Sequence, residues 1–387
     1  MTPGVNVDDP TDELFMNRPI LIRVLLPLAV LVLVEALLRL GYWESMASPN
    51  SRIGATVRLK TRLAQEREPF QLVTLGNSRA ELGLDEDVLQ AMANRHGQRH
   101  VRATLRGANW LTWVTLAEWL KAHYPDVDNA IIAVSVGDLL WTNNGSFEVR
   151  MVEPIRQGLW PSREARLIFD PNDSDSYAIW SSLLAYRADL ADYVRDPTGR
   201  QQQLARAAQR SPSNVRASSS NNICDLPIQS LASCAAGQPG TIVGLNIVSE
   251  CKQANQTLAT REDWRPPLAP PIRKERQAVA TLRRLQLQGM PYRRPVVVLM
   301  PVLKLWRQDA FPPGHEAWVK QMFEPLVASG RITLIDATDF FDAAPGGECT
   351  AFYDLYHQTP DASRALTEYL VPQIEAALYD SAQRAAQ

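Results

Sequence analysis

A serine, a histidine and an aspartate far apart along a chain can form one nucleophilic unit if the fold brings them together. Ser78 sits in "LGNSRAEL", where an apolar run ends and a helical pattern begins. Its hydroxyl is a weak nucleophile until a base takes its proton. His357 can be that base. Asp354, three residues earlier in "YDLYH", can orient the imidazole and stabilise its cationic form. Backbone N–H groups of the serine turn can face the oxyanion that forms when such a serine attacks a carbonyl. Each half also has a purely structural alternative: a Gly-Asn-Ser turn, and an aspartate cap with a histidine behind it. Of the five histidines, only His357 lies between the last strand-like run and the last helical pattern. His96, His100, His123 and His315 have surface-like settings.

The elements that must position these groups are legible as alternating patterns. Strand-like runs occur at Phe70–Leu75, His100–Leu105, Ala130–Val136, Pro295–Met300 and Arg331–Asp336. Most are continuously apolar, as parallel strands covered on both faces are. Helical patterns separate them, including "NWLTWVTLAEWLKAHYP", whose Trp110, Trp113 and Trp119 read as packing residues. Asp85 reads as a helix N-cap, and a short polar helix is expected over Arg52–Arg67. The expected fold is α/β: a doubly wound, mainly parallel five-stranded sheet with a long insertion and one N-terminal transmembrane helix. Ligands of open α/β sheets bind outside the carboxyl ends of the strands. Ser78, Gly107 of "LRGANW" and the Tyr353–His357 stretch all fall at or just beyond such ends. The insertion, about 140–271, is too long for a plain loop, and Leu204–Asn221 within it reads as disordered.

Composition narrows the function. The 387 residues are 45% hydrophobic, so a sizeable core is possible, and the formal net charge of -2 leaves no basic excess for nucleic acid. The run Pro19–Tyr42 is long enough to span a bilayer, with Glu35 and Arg39 one turn apart and able to pair. The expected organisation is a tail at 1–18, an anchor at 19–43 and the α/β domain at 52–387. A buried amphipathic helix and a cleaved signal peptide are the alternatives for the run. Of the four cysteines, Cys224 and Cys234 bracket a loop-rich stretch that a disulfide would staple, which fits a domain outside the cytoplasm. No cysteine–histidine spacing suits zinc, no glycine-rich phosphate loop follows the first strand, and no cofactor is expected.

The blocks "LGNSRAELGLD" and "YDLYHQTPDASRAL" resemble the first and last conserved blocks of the SGNH (GDSL-like) hydrolase superfamily. The membrane-anchored branch is the nearer likeness. It includes the D-alanyl transfer protein of teichoic acid synthesis and acetyltransferase partners of exopolysaccharide export. The resemblance implies Ser78 as nucleophile and oxyanion donor, His357 as base, Asp354 as its orienting acid and Gly107 as a second oxyanion donor. The family's third block offers an asparagine donor. Here "VSVGDLLW" places Asp138 there, which accepts but does not donate. Either Asn77 or Asn109 substitutes, or backbone groups alone build the hole, or the site is not a strong hydrolase. Arg79 can bind an anionic or carbonyl group of a donor, or form a salt bridge.

The function so implied is a serine O-acyltransferase or esterase, anchored in the cytoplasmic (inner) membrane and facing the periplasm or cell exterior. It would take an acylated donor and a glycan acceptor, with a multi-pass membrane O-acyltransferase as a possible partner. The alternative from another class is a non-catalytic glycan-binding or scaffold subunit of an export complex.

Overall fold

A computed structural model of the chain describes residues 18–108, 110–139, 150–155, 180–209, 295–304, 314–343 and 348–380. It also describes short pieces at 178, 235–236, 249, 251–252, 256, 292–293 and 307–308. Five parallel strands form one sheet: β1 (Leu72–Gly76), β2 (His100–Thr104), β3 (Asn129–Ser135), β4 (Val296–Met300) and β5 (Thr333–Asp336). Their order is β2-β1-β3-β4-β5, and every neighbouring pair is parallel. Each strand lies within two residues of its expected run. The order reverses between β1 and β3, and such a reversal opens a crevice at the carboxyl ends of the two strands.

The buried faces follow from the apolar runs. All residues of β1 and β4 are buried. The helices α1 (Arg18–Arg39), α2 (Arg52–Ala64), α3 (Ser78–Gly83), α4 (Glu86–Arg95) and α5 (Trp110–His123) precede β3. Trp113 and Trp119 of α5 are buried in the core. Asp85 caps α4, accepting from the amides of Asp87 at 3.0 Å and Val88 at 3.2 Å. Among the described residues two helices fall inside the expected insertion, α6 (Ser182–Arg195) and α7 (Pro197–Gln209). Helix α8 (His315–Ala328) precedes β5, and α9 (Pro360–Glu375) closes the fold against α3 and α4.

The end of α1 docks on the insertion. Leu38, Ile53 and Tyr186 share a small second core. The Glu35 carboxylate accepts from Arg39 at 2.6 Å, as its spacing predicts. It also caps α6, accepting from the amides of Ser182 and Leu183 at 2.8 Å each and from the Ser181 hydroxyl at 2.9 Å. Among the described residues no helix is long and apolar enough to cross a membrane; the side chains of α1 are described from Arg23 onward.

Three expectations meet corrections or limits. Residues Leu204–Gln209, read as part of a disordered stretch, continue α7, because the chain from Pro197 onward is rich in good helix formers; 210–221 lie outside the described residues. Cys224 and Cys234 also lie outside them, whereas Cys251 is buried and disulfide-bonded. His100 is not a surface residue. It is buried in β2, and its Nε2 shares a 2.8 Å hydrogen bond with the Thr74 hydroxyl of β1.

Burial, reinforced by nearby Arg102 and Arg62, pushes the His100 imidazole from 6.5 down to about 3. Below pH ~6.5 the unfolded chain takes up a proton that the folded chain refuses until about pH 3. Stability is therefore lost as the pH drops through that window, at up to about 1.4 kcal/mol per unit. Urea melts across this range should show a shallower acid dependence for His100→Asn than for the native chain.

Candidate active site

The crevice between β1 and β3 is where the chemistry collects. Gly76 ends β1, and Asn77 turns the chain into α3, whose first residue is Ser78. Asn77 is a good N-cap because its side-chain oxygen accepts from the amide of Arg79, at 3.0 Å. The turn thus holds Ser78 at the end of the strand, partly exposed. From the other side of the chain comes the loop that precedes α9. A bridge between Phe352 and Gln358 closes this loop on itself. The Tyr353 amide donates to the His357 carbonyl at 3.1 Å. Gln358 ties the loop to the end of β4, donating to the Pro301 carbonyl at 2.8 Å.

These two segments, 279 residues apart, meet: His357 Nε2 lies 2.8 Å from Ser78 Oγ. Behind it, His357 Nδ1 lies 2.5 Å from Asp354 Oδ2. Asp354 Oδ1 accepts from the backbone amides of Tyr356 at 3.0 Å and His357 at 2.7 Å. One carboxylate therefore shapes the turn with one oxygen and orients the imidazole with the other. An acceptor at Nδ1 places the imidazole proton there, which leaves Nε2 as acceptor for the serine O–H. The rings of Tyr353, stacked at 5.6 Å, and Tyr356, edge-on at 4.5 Å, restrict the imidazole plane. This hydrogen-bonded chain, with the serine at a strand-to-helix turn, is the arrangement that activates a hydroxyl for attack on a carbonyl carbon.

No protein-family model matches this chain, and no curated protein matches it.

The remaining expected site residues have distinct fates. Gly107 lies in the turn after β2 with φ +72°, against the guanidinium of Arg52. That turn stands beside β1, since Leu105 donates to the Gly76 carbonyl at 3.0 Å. Among the described residues no hydrogen bond joins Gly107 to Ser78. Asn109 lies outside the described residues. Asn77 is engaged at both ends of its amide, because its Nδ2 donates to Asp138 Oδ1 at 2.8 Å. Arg79 forms a salt bridge with the same Asp138 oxygen, and the pair is largely buried.

Asp138 is not an anion facing an open hole. Its other oxygen accepts from the amide of Ser135 at 2.6 Å and from the Ser135 hydroxyl at 3.1 Å. Four donors therefore surround a carboxylate that the sequence alone leaves as a repulsive charge.

Other positioning residues escape a sequence reading altogether. Arg102 of β2 donates to the carbonyls of Glu81 at 3.0 Å and Leu84 at 3.2 Å, satisfying the free end of α3. Arg106 forks onto the Glu81 carboxylate with two bonds of 3.0 Å. Both arginines pin the short helix that carries Ser78. Their spacing in sequence carries no signal, because α3 and β2 meet only through the sheet.

Proposed function

We propose that this protein is a membrane-anchored serine O-acyltransferase or esterase of SGNH type, acting on an extracytoplasmic polysaccharide. One observation carries the proposal: Ser78, His357 and Asp354 form a continuous hydrogen-bonded chain at the strand-order reversal. Two short sequence blocks resembling that superfamily contain the same three residues.

In this mechanism Ser78 Oγ bonds to the acyl carbon of a donor as His357 Nε2 takes its proton. The carbonyl π pair moves onto oxygen. When the tetrahedral intermediate collapses, the donor's leaving oxygen departs and receives that proton from His357. A sugar hydroxyl, or water, then repeats the steps in reverse and releases Ser78. Transfer and hydrolysis differ only in which oxygen attacks the acyl-enzyme.

The membrane setting rests on the apolar run Pro19–Tyr42. In support, the described α1 side chains Val24, Leu25, Leu26, Leu28 and Val30–Leu33 stand about half exposed or more. In water such a face is unfavourable; in lipid it is not. The disulfide at Cys251 agrees with an oxidising compartment. A multi-pass acyltransferase handing acyl groups across the bilayer would complete the pathway. The non-catalytic alternative draws on Asp138 and on the long insertion; engagement of Asp138 by four donors weakens the first of these grounds.

A fluorophosphonate probe tests the nucleophile directly. The native protein should be labelled covalently, with the adduct on Ser78 by peptide mass spectrometry, and Ser78→Ala should not be labelled. Absence of any adduct on the correctly folded native chain counts against catalysis.

A further inference from the structure

Resting on the serine mechanism above, we infer that Arg79 supplies an oxyanion contact that Asp138, standing where an amide would, cannot donate, and that Asp138 is the residue that positions it. The guanidinium of Arg79 stands where three loops converge. It belongs to the turn after β1, it pairs with Asp138 beyond β3, and it lies 4.8 Å from the ring centroid of Tyr356, next to His357. The same three loops enclose Ser78 and His357.

The bonding of this guanidinium is incomplete. Its side chain is only 13% exposed. One terminal nitrogen reaches Asp138, but Nε is buried with no acceptor. A buried donor without a partner is unfavourable. The guanidinium as a whole therefore keeps donor capacity that Asp138 does not use, available to an acceptor that arrives during the working cycle. The acceptor must carry negative charge or develop it, and must sit beside the residue following the nucleophile. The acyl carbonyl oxygen meets both conditions, since it becomes an oxyanion as Ser78 Oγ bonds to the carbon and its proton passes to His357.

Asp138 then has a definite purpose. A carboxylate in place of an amide cannot donate to the oxyanion, but it can hold a cation that does. Asn77 and Ser135 fix the carboxylate, with bonds of 2.8, 2.6 and 3.1 Å. The held cation offers N–H groups with charge behind them, and the pair stays neutral until the substrate reacts. A lysine at this position would keep the charge but lose the planar fork.

The test uses the full-length protein in detergent with p-nitrophenyl acetate as the probe substrate. Arg79→Gln should lower kcat by about 100-fold with KM within about twofold, the signature of a contact made only in the transition state. Arg79→Lys should recover part of that loss. Asp138→Ala should lower kcat without moving KM, although Asp138 touches no substrate. The double variant R79Q/D138A leaves no buried ion unpaired, so it serves if R79Q alone fails to fold. Its kcat should be no better than that of R79Q, because the two residues act as one unit. If R79Q or the double variant, folded by thermal melting, turns over within twofold of the native rate while Ser78→Ala is dead, the inference is wrong and the serine mechanism stands. If Ser78→Ala retains the native rate, the mechanism itself fails and takes this inference with it.

Discussion

Replacing His357 by alanine is expected to lower the rate of acyl transfer by about 10⁴-fold or more, with substrate binding little changed. The expectation follows from the 2.8 Å contact with Ser78 Oγ. Among the described residues no other histidine shares the site: His100 is buried in β2 against Thr74, and His96 lies on the surface beside Glu375. Without the imidazole the serine proton has no acceptor, and attack on the carbonyl must proceed from an unactivated hydroxyl. Asp354→Asn should cost a similar factor for a different reason. An amide in place of the carboxylate can donate to Nδ1, which favours the tautomer with the proton on Nε2, where it faces the serine uselessly. Combining Ser78→Ala with His357→Ala should be no worse than either alone, because the unit is already broken. Stopped-assay hydrolysis of an aryl acetate measures all of these. Full activity in folded His357→Ala would remove the basis of the proposed mechanism.

Gly76→Ala should injure both stability and activity. A Cβ built at Gly76 falls 2.3 Å from the Cβ of Ala80 and 2.7 Å from the carbonyl oxygen of Ala133. Neither neighbour yields easily. Ala133 is the residue of β3 paired with Gly76 across the sheet, and Ala80 is in the first turn of α3. Relief requires α3 to move away from the sheet, and Ser78 moves with it. Overpacking of this kind costs about 3 kcal/mol, and a displacement of about 1 Å at the nucleophile lowers turnover by about 100-fold. Gly97→Ala is the control. Gly97 also has positive φ, at +63°, but nothing lies within 4 Å of its added Cβ. Its cost should be limited to the backbone penalty, about 1–2 kcal/mol, with no loss of turnover. Thermal melts and kcat for the two variants make the comparison, and equal behaviour would contradict the packing account.

Much of the architecture is readable along the chain because its causes are local. Strand interiors buried on both faces must be apolar without interruption, so "AIIAVS" and "VVVLM" announce β3 and β4 by themselves. The cap at Asp85 is equally local, since acceptor and donors lie within three residues. The Asp354–His357 pair also spans a single turn. The serine is legible only together with that pair: a Gly-Asn-Ser turn alone has a structural reading, and it is the placement of both at the carboxyl ends of strands that singles Ser78 out.

The limits appear where a residue's partner comes from elsewhere. His100 reads as polar edge material from its neighbours, yet β1 pairs with β2 in a register that sets it across from Leu72 and brings the Thr74 hydroxyl within hydrogen-bond range. Glu35 reads as a helix-internal ion pair with Arg39. It is also the cap of α6, which joins the chain 146 residues later. Asp138 is the sharpest instance. Its local sequence specifies a negative charge, but whether that charge repels an oxyanion or holds a cation depends on Asn77 and Arg79, about 60 residues earlier.

The chain by itself thus determined the strands, the principal helices, and the three residue types able to activate a hydroxyl. Hydrophobic periodicity and capping act between near neighbours, and those signals survive in one dimension. Tertiary structure alone decided that Ser78 and His357 touch, that Arg79 and Asp138 form one neutral pair, and that Arg102 and Arg106 hold α3 in place. Charges and hydrogen bonds take their meaning from whichever groups the folded sheet brings within about 3 Å, and sequence distance carries no record of that.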